Sequence, residues 1–97
     1  MSDIIDNPAS GRFEVTRDGH TAELTYKVDD GRIVLIHTGV PKELEGHGLG
    51  AELVKAAVAR AVREGLTIVP LCPYARAYFR KHPEAIADAK VDWLASS

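Results

Sequence analysis

Apolar and polar residues alternate along the first third of the chain, a pattern typical of strands with one buried face. Residues 12–17 and 21–28 each carry apolar side chains at every second position. An Asp-Gly pair at 18–19 and an Asp-Asp-Gly run at 29–31 separate these segments, and both are strong turn signals. The next run, residues 33–36, is continuously apolar, which favours a strand buried on both faces. The pattern therefore predicts an antiparallel three-stranded meander.

The apolar period changes to that of a helix over residues 48–64, and Gly65 provides a stop. Residues 66–71 then form another apolar run rich in β-branched side chains, so strand, helix and strand make a right-handed βαβ unit. Pro70 cannot donate to a ladder, which favours an edge strand or a bulge at that point. The predicted buried stripe of the helix consists of Val54, Ala57, Val58, Ala61 and Val62.

A second helix is predicted over residues 73–82, because it starts at one proline and stops before another. Its core side is expected to include Ala75 and Phe79. Residues 84–97 suggest a short docking segment through Val91, Trp93 and Leu94.

These elements predict a mixed α/β (α+β) fold in which the meander is followed by the βαβ unit and a C-terminal helix. The length of 97 residues suits one domain. We expect that domain to cover residues 12–97 and to follow a loose leader at residues 1–11, which is rich in polar and turn-forming residues.

Composition and charge exclude several classes of partner. The net charge of −2 and the lack of a basic block do not suggest nucleic acid or an anionic membrane. No apolar run approaches the ~20 residues of a membrane span, and the acidic N-terminus does not resemble a signal peptide. A lone Cys72 fits a reducing compartment, so we expect a cytoplasmic protein. No His, Cys, Asp or Glu grouping has metal-site spacing, so no metal is expected.

Gly46, Gly48 and Gly50 alternate in the loop that opens the first helix. A helix start offers unpaired N–H groups and partial positive charge, which favour a phosphate ligand. The run also fits the dinucleotide fingerprint, but five residues, 41–45, separate it from the strand, and the second βαβ half is missing. A phosphate loop with Lys-Ser/Thr is excluded, because that pair does not follow. A tight turn without a ligand remains the simpler alternative.

Three stretches together resemble the acetyl-CoA motif of the GNAT superfamily of N-acetyltransferases, in particular its small stand-alone domains. They are His37-Thr38-Gly39-Val40-Pro41, Glu45-Gly46-His47-Gly48-Leu49-Gly50 with Leu53, and Pro70-Leu71-Cys72-Pro73-Tyr74 with Tyr78 and His82-Pro83-Glu84. The resemblance implies that two central strands splay apart, that acetyl-CoA lies between them and that the glycine turn wraps its diphosphate. An amine, either a small molecule or a protein lysine, would accept the acetyl group, and the protein would be a monomer or weak dimer. The implied cofactor-binding residues are Thr38, Gly39, Val40, Gly46, His47, Gly48, Leu49, Gly50, Ala51, Cys72 and Tyr74.

Three side chains are candidates for the chemistry. Cys72 precedes a helix start, which favours a thiolate, and would be a nucleophile, a lining residue or a small buried side chain. The resemblance raises the case for His37 as a general base or as a partner of Cys72; a hydrogen-bonded core histidine is the alternative. Many GNAT enzymes use a tyrosine on the second helix to protonate the leaving thiolate, which makes Tyr78 a candidate. Alignment on Lys81, however, puts Phe79 at that position, so packing on the cleft wall is the alternative for Tyr78.

One residue departs from the superfamily pattern. Glu45 stands where arginine or glutamine is usual, and a carboxylate near a diphosphate is repulsive unless it turns outward or pairs with Lys42 or Lys55. Glu45 favours one rival function, an interaction domain that has lost the cofactor. The other rival is a CoA-binding module without transferase activity, because the residues do not define a general acid or base.

Overall fold

One sheet of six strands, arranged in sequence order, carries two helices in the computed structural model, which describes residues 3–93. The first four strands pair antiparallel, whereas the fourth, fifth and sixth pair in parallel. The strands are β1 (Ile5–Asn7), β2 (Arg12–Arg17), β3 (His20–Asp29), β4 (Arg32–Gly39), β5 (Thr67–Pro70) and β6 (Lys90–Val91). The helices are α1 (Leu49–Glu64) and α2 (Pro73–Lys81), with short 3₁₀ turns at Lys42–Leu44 and Pro83–Ile86.

The mixed α/β fold predicted from the sequence is confirmed. Strands β2, β3 and β4 form the meander, and β4, α1 and β5 form the βαβ unit. The core is one apolar cluster between alternate strand residues and the inner faces of both helices. Its buried members include Phe13, Val15, Leu24, Tyr26, Ile33, Leu35, Leu53, Val54, Ala57, Ala61, Ala75 and Phe79. The predicted stripe of α1 is correct except for Val62, whose side chain is 47% exposed.

The helices α1 and α2 pack on one face of the meander. The prediction that β4 is buried on both faces is therefore wrong. Ile33 and Leu35 are buried, but Val34 is half-buried and Ile36 is 44% exposed. The sequence pattern misled here because a run of apolar residues does not show how many faces are covered.

The N-terminal segment is not entirely the loose leader expected for residues 1–11. Within it, β1 pairs with β2 through Ile5 opposite Glu14 and Asp6 opposite Phe13. A strand of three residues is too short to show alternation, so the residue pattern carries no signal for it.

At the other edge of the sheet, β6 pairs with the first half of β5, so that half is not an edge. Only Thr67 and Ile68 of β5 pair with β6, so Pro70 has no strand on that side that would need its missing N–H group. The predicted docking segment is confirmed for Val91, which lies in β6, and for Trp93, whose ring stands edge-on to Phe79 at 6.3 Å. Leu94 lies outside the described residues.

Strands β4 and β5 part half-way along β4. Their pairing ends at Leu35 opposite Pro70, and the N–H groups of Leu71 and Cys72 both donate to the carbonyl of Leu35. Beyond this point β4 continues to Gly39 without β5 as a neighbour. The splayed central strands expected from the sequence are therefore present.

A β-bulge in β4 lies at the same place. Tyr26 pairs with Leu35, but the preceding residue of β3, Thr25, pairs with His37, so Ile36 is one extra residue. A bulge reverses the alternation of side chains beyond it. As a result Thr38, opposite the buried Leu24, occupies the helix-covered face.

Arg60 of α1 ties the N-terminal strand to the core. Its Nη1 donates to Asp6 at 3.0 Å and to the Tyr26 hydroxyl at 2.7 Å, and its guanidinium lies 5.2 Å from the centre of the Tyr26 ring. The Tyr26 hydroxyl in turn donates to Asp6. Burial, reinforced by the Asp6 carboxylate, raises the pKa of Tyr26. Because β1 has only three residues and little apolar surface, these polar contacts of Asp6 attach it to the rest of the domain.

Replacing Arg60 with Met should lower the free energy of unfolding by about 1–3 kcal/mol, because Asp6 and Tyr26 would remain partly buried without their cation. The matched control is Arg63→Met, about one helical turn further along α1. The Arg63 side chain is 66% exposed, whereas the Arg60 side chain is only 14% exposed. The control should change stability by no more than ~0.5 kcal/mol. Urea unfolding measures both, and equal losses would contradict a stabilising role for the network.

Candidate functional site

The turn before α1 presents a helix start to open space. Gly46 and Gly48 have φ of +86° and +70°, where glycine avoids the strain that a side chain would bring. Gly48 is the N-cap of α1, and no side chain caps the first turn among the described residues. A Cβ added at Gly46 or Gly48 would meet nothing within 4 Å. The turn therefore combines free donor groups with room beside them.

A cavity of about 210 Å³ lies against this turn. Its lining residues come from the end of β4, the glycine turn and the start of α2, and are Val40, Leu44, Glu45, Gly46, Gly48, Leu49, Gly50 and Tyr74. Leu49 itself is buried in the core, and His47 is exposed. Glu45 is exposed at the rim, and ion pairs with Lys42 or Lys55 are absent from the described part of the chain. Of the two arrangements expected for Glu45, the pairing is not seen among residues 3–93; Glu45 is exposed and also borders the cavity, so its outward orientation stays a prediction.

Gly50 has a different role from the other two glycines. It lies inside α1, and a Cβ there would stand 2.8 Å from Cζ and 2.9 Å from the hydroxyl of Tyr74. Tyr74 on α2 thus rests directly on the backbone of α1. Burial is the main cause that raises the pKa of Tyr74, with Tyr78 and Cys72 adding to it. The sequence could not separate this packing role from a ligand role, because Gly50 and Tyr74 are 24 residues apart.

Cys72 lies where β5 ends and α2 begins, and its thiol is 1% exposed. Its Sγ is 3.2 Å from Oγ1 of Thr38, across the gap between the parted strands. Cys72 is the N-cap residue of α2 and Pro73 its first helical residue, and within residues 3–93 no side chain caps this helix. Cys72 is therefore held in place beside the end of β4.

His37 is not brought to Cys72. Its side chain is exposed, and a Cβ on Gly39 would lie 3.6 Å from His37 Nε2 and 3.9 Å from Glu23 Oε1. Without the bulge at Ile36, strand alternation would put residue 37 on the covered face; with it, Thr38 takes that place. The expected pairing of His37 with Cys72 is wrong for this reason, and a base role for His37 stays a prediction.

The comparisons with known proteins agree with this geometry. The family model described as GCN5-related N-acetyl-transferase matches residues 12–89. The chain belongs to the GCN5-related N-acetyltransferase family. It is also similar to a GCN5-like protein from Staphylococcus aureus, known from an NMR solution structure, with 30% sequence identity and a TM-score of 0.70. The match covers 95% of this chain and 92% of that one.

In this member of the GCN5-related N-acetyltransferase family, two further cavities follow the groove between α1 and α2. One, of about 310 Å³, is lined by Ala51, Tyr74, Ala77, Tyr78, Lys81 and His82. The other, of about 510 Å³, is lined by Lys55, Val58, Ala59, Tyr78, His82, Glu84 and Ala85. Tyr74 borders both the cavity at the glycine turn and the first of these two, so the groove adjoins the glycine turn. The sequence analysis named Lys55 only as a possible partner of Glu45 and so missed its position in the groove.

Tyr78 borders both cavities of the groove, and its ring lies 4.8 Å from that of His82. Phe79, which an alignment on Lys81 would put in the functional position, is buried in the core. The 100° between successive helix residues separates the two aromatic side chains. Tyr78 is therefore the one of the pair with access to the groove, and its chemical role stays a prediction.

Neither described helix of this family member has the length and apolar character needed to cross a bilayer. Within residues 3–93, no group of three or more His, Cys, Asp or Glu side chains is placed to hold a metal ion.

Contact between Gly50 and Tyr74 can be tested by a double-mutant cycle of Gly50→Ala and Tyr74→Ala. The added methyl should displace the ring of Tyr74, but should meet no ring when Tyr74 is already alanine. We expect a coupling of at least about 0.5 kcal/mol, typical of residues in contact. Thermal or urea unfolding of the four proteins measures it, and additive effects would show that the two residues do not touch.

Proposed function

We propose that this protein transfers an acetyl group from acetyl-CoA to an amine, with Cys72 as the residue that receives the acetyl group first. The observation that carries the proposal is the open start of α1 beside strands that have parted. Donor groups and a strand edge are needed together to hold an extended ligand with a phosphate in its middle. The family to which the chain belongs supports the same chemistry.

Backbone amides of His47–Ala51 would hold the diphosphate. Their helix start carries partial positive charge, and the empty space beside Gly46 and Gly48 is a cradle that side chains would fill. Backbone N–H groups can bind an anion without a nearby lysine or arginine. The site can therefore hold a diphosphate although Glu45 replaces the usual arginine or glutamine.

Two other parts of the ligand would lie on either side of this turn. The arm that carries the thioester would follow the free edge of β4 at Thr38–Val40, where β5 no longer pairs. The nucleotide end would enter the groove between the helices, where Lys55 and Lys81 line the cavities. Arg76 and Arg80 lie on the same helix as Lys81, but each has its guanidinium carbon 5.8 Å from the centre of the Trp93 ring.

In the proposed reaction, the Cys72 thiolate attacks the thioester carbonyl. The bond between Cys72 Sγ and the acetyl carbon forms, the bond to the CoA sulfur breaks, and the CoA thiolate takes a proton, for which Tyr78 is our candidate donor. A neutral amine then attacks acetyl-Cys72, so that the C–N bond forms and the thiolate of Cys72 is released. A backbone N–H near Thr38–Val40 would polarise the carbonyl.

The acceptor amine would approach from the face of the sheet that no described helix covers. His37 and Glu23 lie at that face next to Gly39, so His37 would take a proton from the ammonium form of the acceptor there. The neutral amine would then enter the gap between β4 and β5 to attack acetyl-Cys72, and the proton that its nitrogen loses after the attack would pass to solvent.

Gly48→Ala should weaken acetyl-CoA binding, because its methyl group would enter the cavity where the diphosphate is proposed to lie. Gly65→Ala is a matched control at the other end of the same helix, with φ of +68° and the same open surroundings. Both changes should cost roughly 1 kcal/mol of stability through the left-handed backbone. Only Gly48→Ala should raise Kd, by roughly tenfold, equivalent to about 1.4 kcal/mol. Calorimetry with acetyl-CoA measures this, and equal affinities would place the cofactor elsewhere.

Acetyl-CoA supplied without an amine should add one acetyl group to the wild-type protein, and none to Cys72→Ala. The chain has a single cysteine, so intact-protein mass spectrometry followed by peptide mapping identifies the site. Turnover with an amine panel that is unchanged in Cys72→Ala would remove Cys72 from the chemistry and favour direct transfer.

The burial of Cys72 favours a second candidate, a CoA-binding module without transferase activity. In that case acetyl-CoA raises the melting temperature, as any ligand of the native state must, but neither acetyl-Cys72 nor acetylated amine forms.

A further inference from the structure

The hydroxyl of Thr38 is the side-chain group that the structure places in hydrogen-bonding contact with the sulfur of Cys72. We propose that Thr38 is a positioning residue for the reaction: it aims Sγ of Cys72 and donates a hydrogen bond to the thiolate each time that thiolate forms. This inference rests on the proposed role of Cys72 as nucleophile. It adds a role for Thr38 beyond the backbone contact that the cofactor arm would make with the same residue.

The backbone around Cys72 is fixed on both sides. Its N–H donates to the carbonyl of Leu35 at 2.9 Å, and its own carbonyl accepts the N–H of Arg76 at 3.0 Å. These bonds hold the Cα of Cys72 in place but leave rotation about the Cα–Cβ bond free. The contact of 3.2 Å with Thr38 Oγ1 selects one of the staggered positions of the sulfur.

Thr38 reaches this place because of two irregularities in β4. The bulge at Ile36 turns residue 38 to the helix-covered face, opposite Leu24. The loss of pairing with β5 after Leu35 leaves space for a hydroxyl and a sulfur between the strands. A regular strand would supply neither condition, so the bulge has a direct consequence for the chemistry.

A hydroxyl is suited to both protonation states of the sulfur. It accepts a hydrogen bond from the neutral thiol and, after rotation, donates one to the thiolate. In the first step the thiol loses its proton to solvent, Sγ bonds to the acetyl carbon and the CoA sulfur leaves as a thiolate that takes up a proton. In the second step the amine displaces Sγ, which returns as a thiolate and takes the hydrogen bond of Thr38 again. In this buried place a thiolate without a donor would be costly.

Three variants separate the hydroxyl from the shape of residue 38. Thr38→Val keeps the branched shape and removes the hydroxyl, whereas Thr38→Ser keeps the hydroxyl. Thr25→Val removes a hydroxyl from the neighbouring strand at a position opposite His37, and so serves as the matched control. All three are compared with the wild-type full chain for folding by circular dichroism.

The first measurement is the rate of acetyl-Cys72 formation after mixing with acetyl-CoA, followed by mass spectrometry over a range of pH. Thr38→Val should slow this rate roughly ten- to hundredfold, as expected for one lost hydrogen bond to a charged group, and should move the pH profile of the rate to higher pH. Thr38→Ser and Thr25→Val should stay within roughly threefold of wild type. The concentration of acetyl-CoA that gives half the maximal rate should change little in Thr38→Val.

The second measurement needs no cofactor. Because the chain has one cysteine, its S–H stretch is a single Raman band that reports on the contact with Thr38. The band should move in Thr38→Val and return in Thr38→Ser. An unmoved band, or equal acetylation rates in Thr38→Val and Thr38→Ser, would overturn the role of Thr38. Absence of acetyl-Cys72 from the wild-type protein would instead overturn the nucleophile itself, and the two failures are thus distinguishable.

Discussion

The parting of β4 from β5 is the constraint on which the rest of the site depends. The ladder ends at Leu35 because its carbonyl accepts both N–H groups that follow Pro70, and Pro70 itself has none to give. The remaining half of β4 is left with a free edge, and the space beside it holds Thr38 and Cys72. A continuous parallel pair would have closed this space with hydrogen bonds. Thus the missing N–H group of Pro70 contributes to the opening at the centre of the sheet.

The alternating glycines meet two separate requirements at the start of α1. Gly46 and Gly48 provide the left-handed backbone of the turn and leave its donor groups facing a cavity. Gly50 permits Tyr74 to pack against the helix, which brings the first turns of both helices together. The helix start and the cleft are therefore built by the same short segment. A sequence pattern alone treats these glycines as equivalent, whereas the contacts show that they are not.

Much of the fold could be predicted because its signals are local. Alternation, two tight turns and a helical stripe predicted the meander and the βαβ unit. Alternating glycines located the turn before the helix, and a family resemblance then assigned it to acetyl-CoA. The features that escaped prediction depend on contacts between distant segments. The bulge at Ile36 is hidden inside an apolar run, and it decides that Thr38 rather than His37 meets Cys72. Likewise, β1 is held by Arg60, more than fifty residues away along the chain.

The two faces of the sheet have different chemistry, and the proposed reaction uses both. The covered face holds the apolar core and Cys72, while Arg12 on the other face pairs with Glu14 and Glu23 at 2.6 Å each. The central claim is that the glycine turn holds the diphosphate of acetyl-CoA while the arm of the cofactor follows the free edge of β4. NMR of ¹⁵N-labelled protein titrated with acetyl-CoA tests it most directly. The largest amide shifts should fall at residues 46–51 and 38–40; shifts confined to other segments, or none at saturating concentration, would contradict the account.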